Sequence, residues 1–227
     1  PIKIASFSAV YLAVTFILVP PLAKWQCGRV PLPIWSNPYL RPHNAWFYCF
    51  FNRHYVKPEL RAAAENAARR LAEKYPGTVV CYLDGCFPFF DGYPLHPHFS
   101  HRDGEKLDVA LHWLEKSGNP IFGTPMRLGY GAFELPLPGE IDKDEACPNS
   151  RFRNLEIQRF GNYNKARFQF DAKRTADMIR FFAEEKAVGK IFLEPHLKTR
   201  LGLSRYDKIR FQGCKAARHD DHIHVQM

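Results

Sequence analysis

The sequence predicts an α+β fold in which a mainly antiparallel central sheet is flanked by helices. The spacing of the apolar residues indicates two amphipathic helices and several short strands. These elements mix without the strict alternation that is typical of parallel α/β sheets. The chain has 227 residues, of which 46% are hydrophobic, and that is enough to bury a core of ordinary domain size.

The N-terminal segment, residues 1–22, is expected to be a membrane anchor or a signal sequence. The stretch from Ile4 to Pro20 carries no charge and follows Lys3, which is typical of a signal-peptide core or a short membrane helix. We favour an uncleaved anchor over a cleaved signal, and a buried core helix is the third interpretation. The proline pair at residues 20–21 is expected to end the helix. Because the first residue is Pro, we expect the natural start to lie upstream.

Residues 23–57 are rich in proline and aromatic residues, and we interpret them as a linker and extension that lead into the main domain, residues 58–227. Pro58 is typical of the first residue of a helix. The Ala-rich amphipathic stretch after it predicts a helix that ends at Pro76.

The rest of the main domain predicts short strands, loops and one more long helix. Residues 78–83 are predicted to form a buried strand, because they are a short apolar run, and residues 106–113 are a second predicted strand. Residues 117–165 are rich in Gly and Pro and predict loops and short strands that could border a substrate cleft. A second helix is predicted over residues 171–187. The last predicted elements are a strand at 190–193, a short helix at 194–203 and strands at 209–211 and 223–226.

The charge and the cysteine content place only loose limits on the binding partners and on the disulfide pairing. The net charge is +9, but the basic residues are scattered, so we interpret them as solvated surface and expect no nucleic-acid partner. In an exported chain, the anions of a cell wall or of lipid headgroups fit this charge better. The six cysteines allow fifteen full pairings, so the pairing stays open, as does the choice between disulfides and free buried thiols.

Two histidine-rich segments carry the candidate chemistry. On an extended strand, His222 and His224 point to the same face, about 7 Å apart along the strand. His101 and Asp108 lie on either side of Gly104, which permits a tight turn between them. Two imidazoles and one carboxylate make a three-ligand zinc site with an open position for water, which is the catalytic type of zinc site.

Together the two segments resemble the lysostaphin, D-Ala-D-Ala carboxypeptidase and Sonic hedgehog group of zinc proteins. Within this group they are most similar to the penicillin-insensitive murein endopeptidases, whose motifs are HxxHxxGxxxD and HxxHxH. The matching residues here are His98, His101, Gly104 and Asp108 for the first motif, and His219, His222 and His224 for the second. The resemblance covers roughly residues 75–227 and implies a hedgehog or D-Ala-D-Ala peptidase-like fold with the zinc site on the sheet.

The resemblance also implies a role for each matching residue. His101, Asp108 and His224 are expected to bind one zinc ion per chain. His222 is expected to stabilise the developing oxyanion, while either Asp221 or His219 acts as the general base. We favour Asp221 slightly, although strand alternation places it opposite His224. The residues expected to support the metal ligands from outside are His98 and Asp220.

The expected function is zinc-dependent hydrolysis of peptide bonds in peptidoglycan, of the murein endopeptidase or carboxypeptidase type. The substrates would be stem peptides or cross-links, and the location would be the bacterial periplasm or cell envelope, either membrane-anchored or secreted. One alternative is an inactive zinc-binding module that binds the cell envelope through the same cleft. The other alternative, a metal-dependent phosphoesterase, fits less well because few carboxylates lie near the motifs.

Overall fold

The computed structural model describes residues 2–96, 98–143, 147 and 164–227. The helices are α1 (Ile2–Cys27), α2 (Ala45–Tyr48), α3 (Pro58–Lys74), α4 (Ala172–Glu184) and α5 (Pro195–Arg200). The strands are β1 (Val30–Pro31), β2 (Leu40–Pro42), β3 (Tyr55–Val56), β4 (Val80–Tyr82), β5 (Lys106–Ala110), β6 (Trp113–Glu115), β7 (Phe168–Phe170), β8 (Lys190–Phe192), β9 (Ile209–Arg210) and β10 (His222–Gln226). The α+β class is confirmed.

A six-stranded sheet in the order β2-β4-β5-β10-β8-β9 forms the centre of the fold. Neighbouring strands among the inner four are antiparallel, but β2 is parallel to β4 and β9 is parallel to β8. The sheet is therefore mixed, and the prediction of a mainly antiparallel sheet was wrong. The physical reason is that α3 lies between β2 and β4 and α5 lies between β8 and β9. A crossover of this kind returns the chain to the same end of the sheet and makes the next strand parallel.

The two long helices agree with the sequence prediction. Pro58 is the first residue of α3 and needs no hydrogen-bonded N–H there. Asp171 caps α4 because its side chain accepts a hydrogen bond from the Arg174 backbone N–H. The buried faces of the two helices join the sheet in one apolar core, which includes Ala64, Ala67, Leu71, Met178, Ile179, Phe182, Leu107, Val109, Ile223 and Val225.

The predicted strand at residues 106–113 is interrupted in the structure. It ends at Ala110, and β6 begins at Trp113 and pairs with β7 in a separate two-stranded sheet. Of the predicted loop region 117–165, residues 144–146 and 148–163 lie outside the described residues.

The N-terminal helix α1 is longer than the sequence predicted. It is long and apolar enough to cross a membrane, with a mean hydropathy of 2.1 over its most apolar window. The expectation that Pro20 and Pro21 end this helix was wrong. A π-helical turn over Val14–Leu18 precedes them, and the prolines are the second and third residues of the next helical segment, Val19–Cys27. Proline is tolerated at those positions because it does not need to donate a hydrogen bond.

The cysteines divide between one disulfide and free thiols. Cys147 and Cys214 form a disulfide, which points to an oxidising compartment. The remaining cysteines are free, namely Cys27, Cys49, Cys81 and Cys86. Both the apolar α1 and the disulfide are consistent with an exported chain that carries a signal or an anchor.

Candidate metal centre

The candidate site lies on the central strand pair β5 and β10. In the register of this pair, His224 lies opposite Asp108 and His222 lies opposite Ala110. Side chains alternate between the two faces of a strand, so the residues between these positions enter the apolar core. The same alternation brings His224 and Asp108 together on the other face, as the spacing of the histidines predicted.

His101 reaches the same point from the loop that precedes β5. Its Nδ1 donates a hydrogen bond to the backbone oxygen of Gly85 at 2.7 Å, which leaves Nε2 facing Asp108. The turn between them requires glycine at position 104, where φ is +81° and an added Cβ would lie 3.1 Å from Nε of Arg29.

The three predicted metal ligands converge. His101 Nε2 lies 3.1 Å from Asp108 Oδ1 and 3.1 Å from His224 Nδ1. His224 Nδ1 lies 2.9 Å from the same Asp108 oxygen. Ligand atoms of a tetrahedral zinc site, with bonds of about 2.0–2.1 Å to nitrogen and oxygen, are about 3.3 Å apart. The donor types and their spacing therefore fit one divalent cation.

His98 is a further donor beside this group. One donor atom each of His98, His101 and Asp108 lies within 4.8 Å of the others, so this His-His-Asp group could also bind a metal ion. The His98 Nδ1 atom, however, lies 2.6 Å from Asp108 Oδ2, whereas His101 and His224 contact Oδ1. This contact to the other oxygen suits a residue that orients the carboxylate.

A chain of buried and half-buried polar groups, which the sequence did not predict, continues behind Asp108. The Tyr130 hydroxyl lies 2.8 Å from Asp108 Oδ2 and 3.0 Å from Asp84 Oδ2. Arg53 in turn donates to both oxygens of Asp84, at 2.6 and 2.9 Å. Asp84 lies two residues after the buried strand β4, and an acidic residue just beyond the end of a buried strand is a signal that could have indicated it. Tyr130 lies in a Gly-rich loop and gives no such signal.

His222 forms a pair with Asp221. Its Nδ1 lies 2.5 Å from Asp221 Oδ1, and the Gly131 backbone N–H donates to Asp221 Oδ2 at 2.6 Å. Because the carboxylate accepts the Nδ1 proton, the Nε2 of His222 is the nitrogen that faces the site, 3.8 Å from Asp108 Oδ2. Asp221 precedes β10 and contacts the site through His222.

His219 and Asp220 differ in their relation to the site. The ring of His219 lies 5.0 Å from that of His222 and 5.9 Å from that of His224, between centroids. The Asp220 carboxylate is buried and forms an ion pair with Arg218. Asp220 therefore contributes to the packing behind the terminal motif.

A pocket of about 360 Å³ opens over the candidate ligands. Its volume is in the range of small-molecule and peptide subsites. The pocket is lined by His98, Phe99, Ser100, His101, Asp108, Gln212, Lys215, Ala216, Ala217, His219, His222 and His224.

Burial and nearby charge set the protonation of these groups. Burial opposes ionisation of Asp108, but the imidazoles of His101 and His222 outweigh it and hold the pKa of this carboxyl well below its usual range. Burial lowers the pKa of His224 to about 4 and that of His219 well below its usual value. Burial also disfavours a charged His101, yet the Asp108 carboxylate raises the pKa of that imidazole. These shifts favour an anionic Asp108 and a neutral His224, the forms that bind a metal, whereas His101 would have to give up the proton that Asp108 favours.

Comparison of the chain with protein-family models and with curated proteins finds no match.

Proposed function

We propose that this chain is a zinc-dependent hydrolase that cleaves peptide bonds in peptidoglycan. The observation that carries the proposal is the triangle of donor atoms from His101, Asp108 and His224, with no side longer than 3.1 Å. Three protein ligands of this kind, next to an open pocket, are typical of catalytic zinc sites rather than structural ones.

A zinc ion held there would supply an activated water near neutral pH and polarise a substrate carbonyl. His222 is the best-placed group for proton transfer, because its Nε2 faces the pocket while Asp221 accepts from its Nδ1. The same nitrogen, when protonated, can donate to a developing oxyanion. Asp221 then orients His222, and His219, which also lines the pocket, is the second candidate for the base.

Peptidoglycan is the proposed substrate for three reasons. The two motifs resemble those of murein endopeptidases, and the disulfide together with the apolar α1 favours an exported chain. In addition, Lys215 provides a cation at the pocket, which suits the carboxylates of stem peptides. A two-metal phosphoesterase is less favoured, because Asp108 is the one carboxylate among the described residues that line this pocket.

The test is release of peptides from purified peptidoglycan by the zinc-loaded protein, detected by mass spectrometry. We expect metal-dependent release that a chelator abolishes. His222→Gln should lower the rate by about 100-fold or more, within the range of general acid–base contributions, while zinc binding is retained. His112→Gln is the matched control, because His112 is a buried histidine that does not line the pocket. Stoichiometric zinc without any peptide release would refute the proposal in favour of a binding module, and cleavage of phosphodiesters instead would also refute it.

A further inference from the structure

The exposed apolar surface of the chain continues from α1 onto the domain. Residues 2–10 of α1 are all exposed, and the first contact with the domain is at Tyr11. Tyr11 donates a hydrogen bond to the backbone oxygen of Phe50 at 2.7 Å, and the two rings lie 4.8 Å apart. Whatever surrounds the N-terminal part of α1 therefore meets the domain at Phe50.

Beyond Tyr11, α1 is held against the domain along one side. Thr15, Val19 and Ala23, spaced by four residues, are buried. The opposite side of the same helix is exposed and mostly apolar, as at Ile17 and Trp25, and its one charged residue beyond Tyr11 is Lys24. Because i and i+4 residues share one face of a helix, the helix is two-sided here, with one side on the domain and the other free.

The domain surface beside this helix is aromatic, and we call it the aromatic face (Trp35, Trp46, Phe50 and Phe51). Trp46 is 80% exposed and Trp35 is 75% exposed. A groove of about 190 Å³ lies between the aromatic face and α1, and it is lined by Leu12, Phe16, Ile34, Trp35, Ala45, Trp46, Cys49 and Phe50. None of these side chains carries a charge. Exposed apolar patches of this kind mark interaction surfaces.

We propose that the aromatic face is a membrane-binding surface. The N-terminal part of α1 inserts into the bilayer, the aromatic face enters the interfacial region of the same bilayer, and a lipid acyl chain occupies the groove. Three observations favour lipid over a protein partner. The surface is continuous with a helix that is apolar enough to cross a membrane. The groove has no charged lining residue. Exposed tryptophans are the side chains that are enriched at the membrane–water interface. The domain would then be held in a fixed orientation by two contacts rather than by a flexible tether.

The experiment measures which tryptophans meet the acyl chains. The full chain is reconstituted into phosphatidylcholine vesicles with acyl chains brominated near the interface, and tryptophan fluorescence is compared with that in unbrominated vesicles. Three of the four tryptophans are exposed, at positions 25, 35 and 46, whereas Trp113 is buried in the domain. We expect Trp46→Phe and Trp35→Phe each to remove about half of the quenched emission, because Trp25 lies about 21 Å of helix beyond Tyr11 and so away from the brominated interface. Trp113→Phe is the control and should leave the quenched emission unchanged.

Two results would overturn the proposal. If Trp25 is quenched but Trp46 and Trp35 are not, the bilayer contacts the exposed side of α1 and the aromatic face serves another partner. If no tryptophan is quenched, neither contact with lipid exists. Hydrolysis of peptidoglycan does not enter this measurement, so its outcome is independent of the proposed function.

Discussion

Replacement of His224 and His98 by alanine, one at a time, separates the metal ligand from its supporting residue. The free energy of zinc binding to structural sites with four protein ligands is about 10–16 kcal/mol, which corresponds to about 2.5–4 kcal/mol for each ligand. His224→Ala removes one of the three converging donors, so zinc affinity should fall by about 10²–10³-fold. His98→Ala removes a contact to Asp108 Oδ2, but that oxygen keeps its bond to Tyr130 at 2.8 Å. Zinc affinity should therefore fall by about 10-fold, the lower end of the range for residues that hydrogen-bond a metal ligand.

The assay is competition for zinc with a chromophoric chelator, and thermal unfolding in excess chelator checks that both variants fold. Asp108→Asn provides the reference for a lost ligand, because Asp108 belongs to the ligand set whether the second histidine is His224 or His98. If His98→Ala loses more zinc affinity than His224→Ala, the reasoning is refuted, and His98 replaces His224 in the ligand set. Equal losses would also refute it, since they would mean that both imidazoles bind the ion.

Three further predictions concern stability. Tyr130→Phe should lower the free energy of unfolding by about 1–3 kcal/mol in urea titration, because a buried carboxylate at Asp108 loses a hydrogen bond. Cys214→Ser should lower it by about 4 kcal/mol, because the disulfide to Cys147 closes a loop with a sequence separation of 67, and reductant should then have no further effect. Burial lowers the pKa of His54 to about 4, so the unfolded chain takes up a proton below pH 6.5 that the folded chain does not. Up to about 3 kcal/mol, present above pH 6.5, is therefore lost as the pH falls toward 4, and His54→Gln should flatten that part of the pH profile.

The helices and the central strands could be predicted because their signals are local. Pro58 and Asp171 mark helix starts by chemistry that needs no tertiary contact. The spacing of His222 and His224 on one strand likewise fixes that both face the same way. Their meeting with Asp108 depends on the register between β5 and β10, which the sequence suggested only through the resemblance of its two motifs.

The edge strands show where local signals end. β2 lies in the Pro-rich segment, and Leu40 and Pro42 are buried against β4 although nothing around them alternates like a strand. The direction of β2 follows from the crossover through α3, which is a property of the whole chain path. The error over Pro20 has a similar origin, since the π-helical turn before it becomes visible only in the folded helix.

The polar groups behind Asp108 satisfy the hydrogen-bonding needs of a buried carboxylate, and no sequence motif indicates which residues do so. One oxygen of this buried carboxylate faces His101 and His224, so the other oxygen needs its own donors. Tyr130 supplies one and is shared with Asp84, whose charge Arg53 then balances. The Asp84–Arg53 pair is neutral as a unit, which leaves Asp108 as the formal charge at the ligand triangle. A divalent cation bound there would keep one net positive charge, and under the proposed function it would stabilise the negative charge that moves onto the substrate carbonyl oxygen during attack.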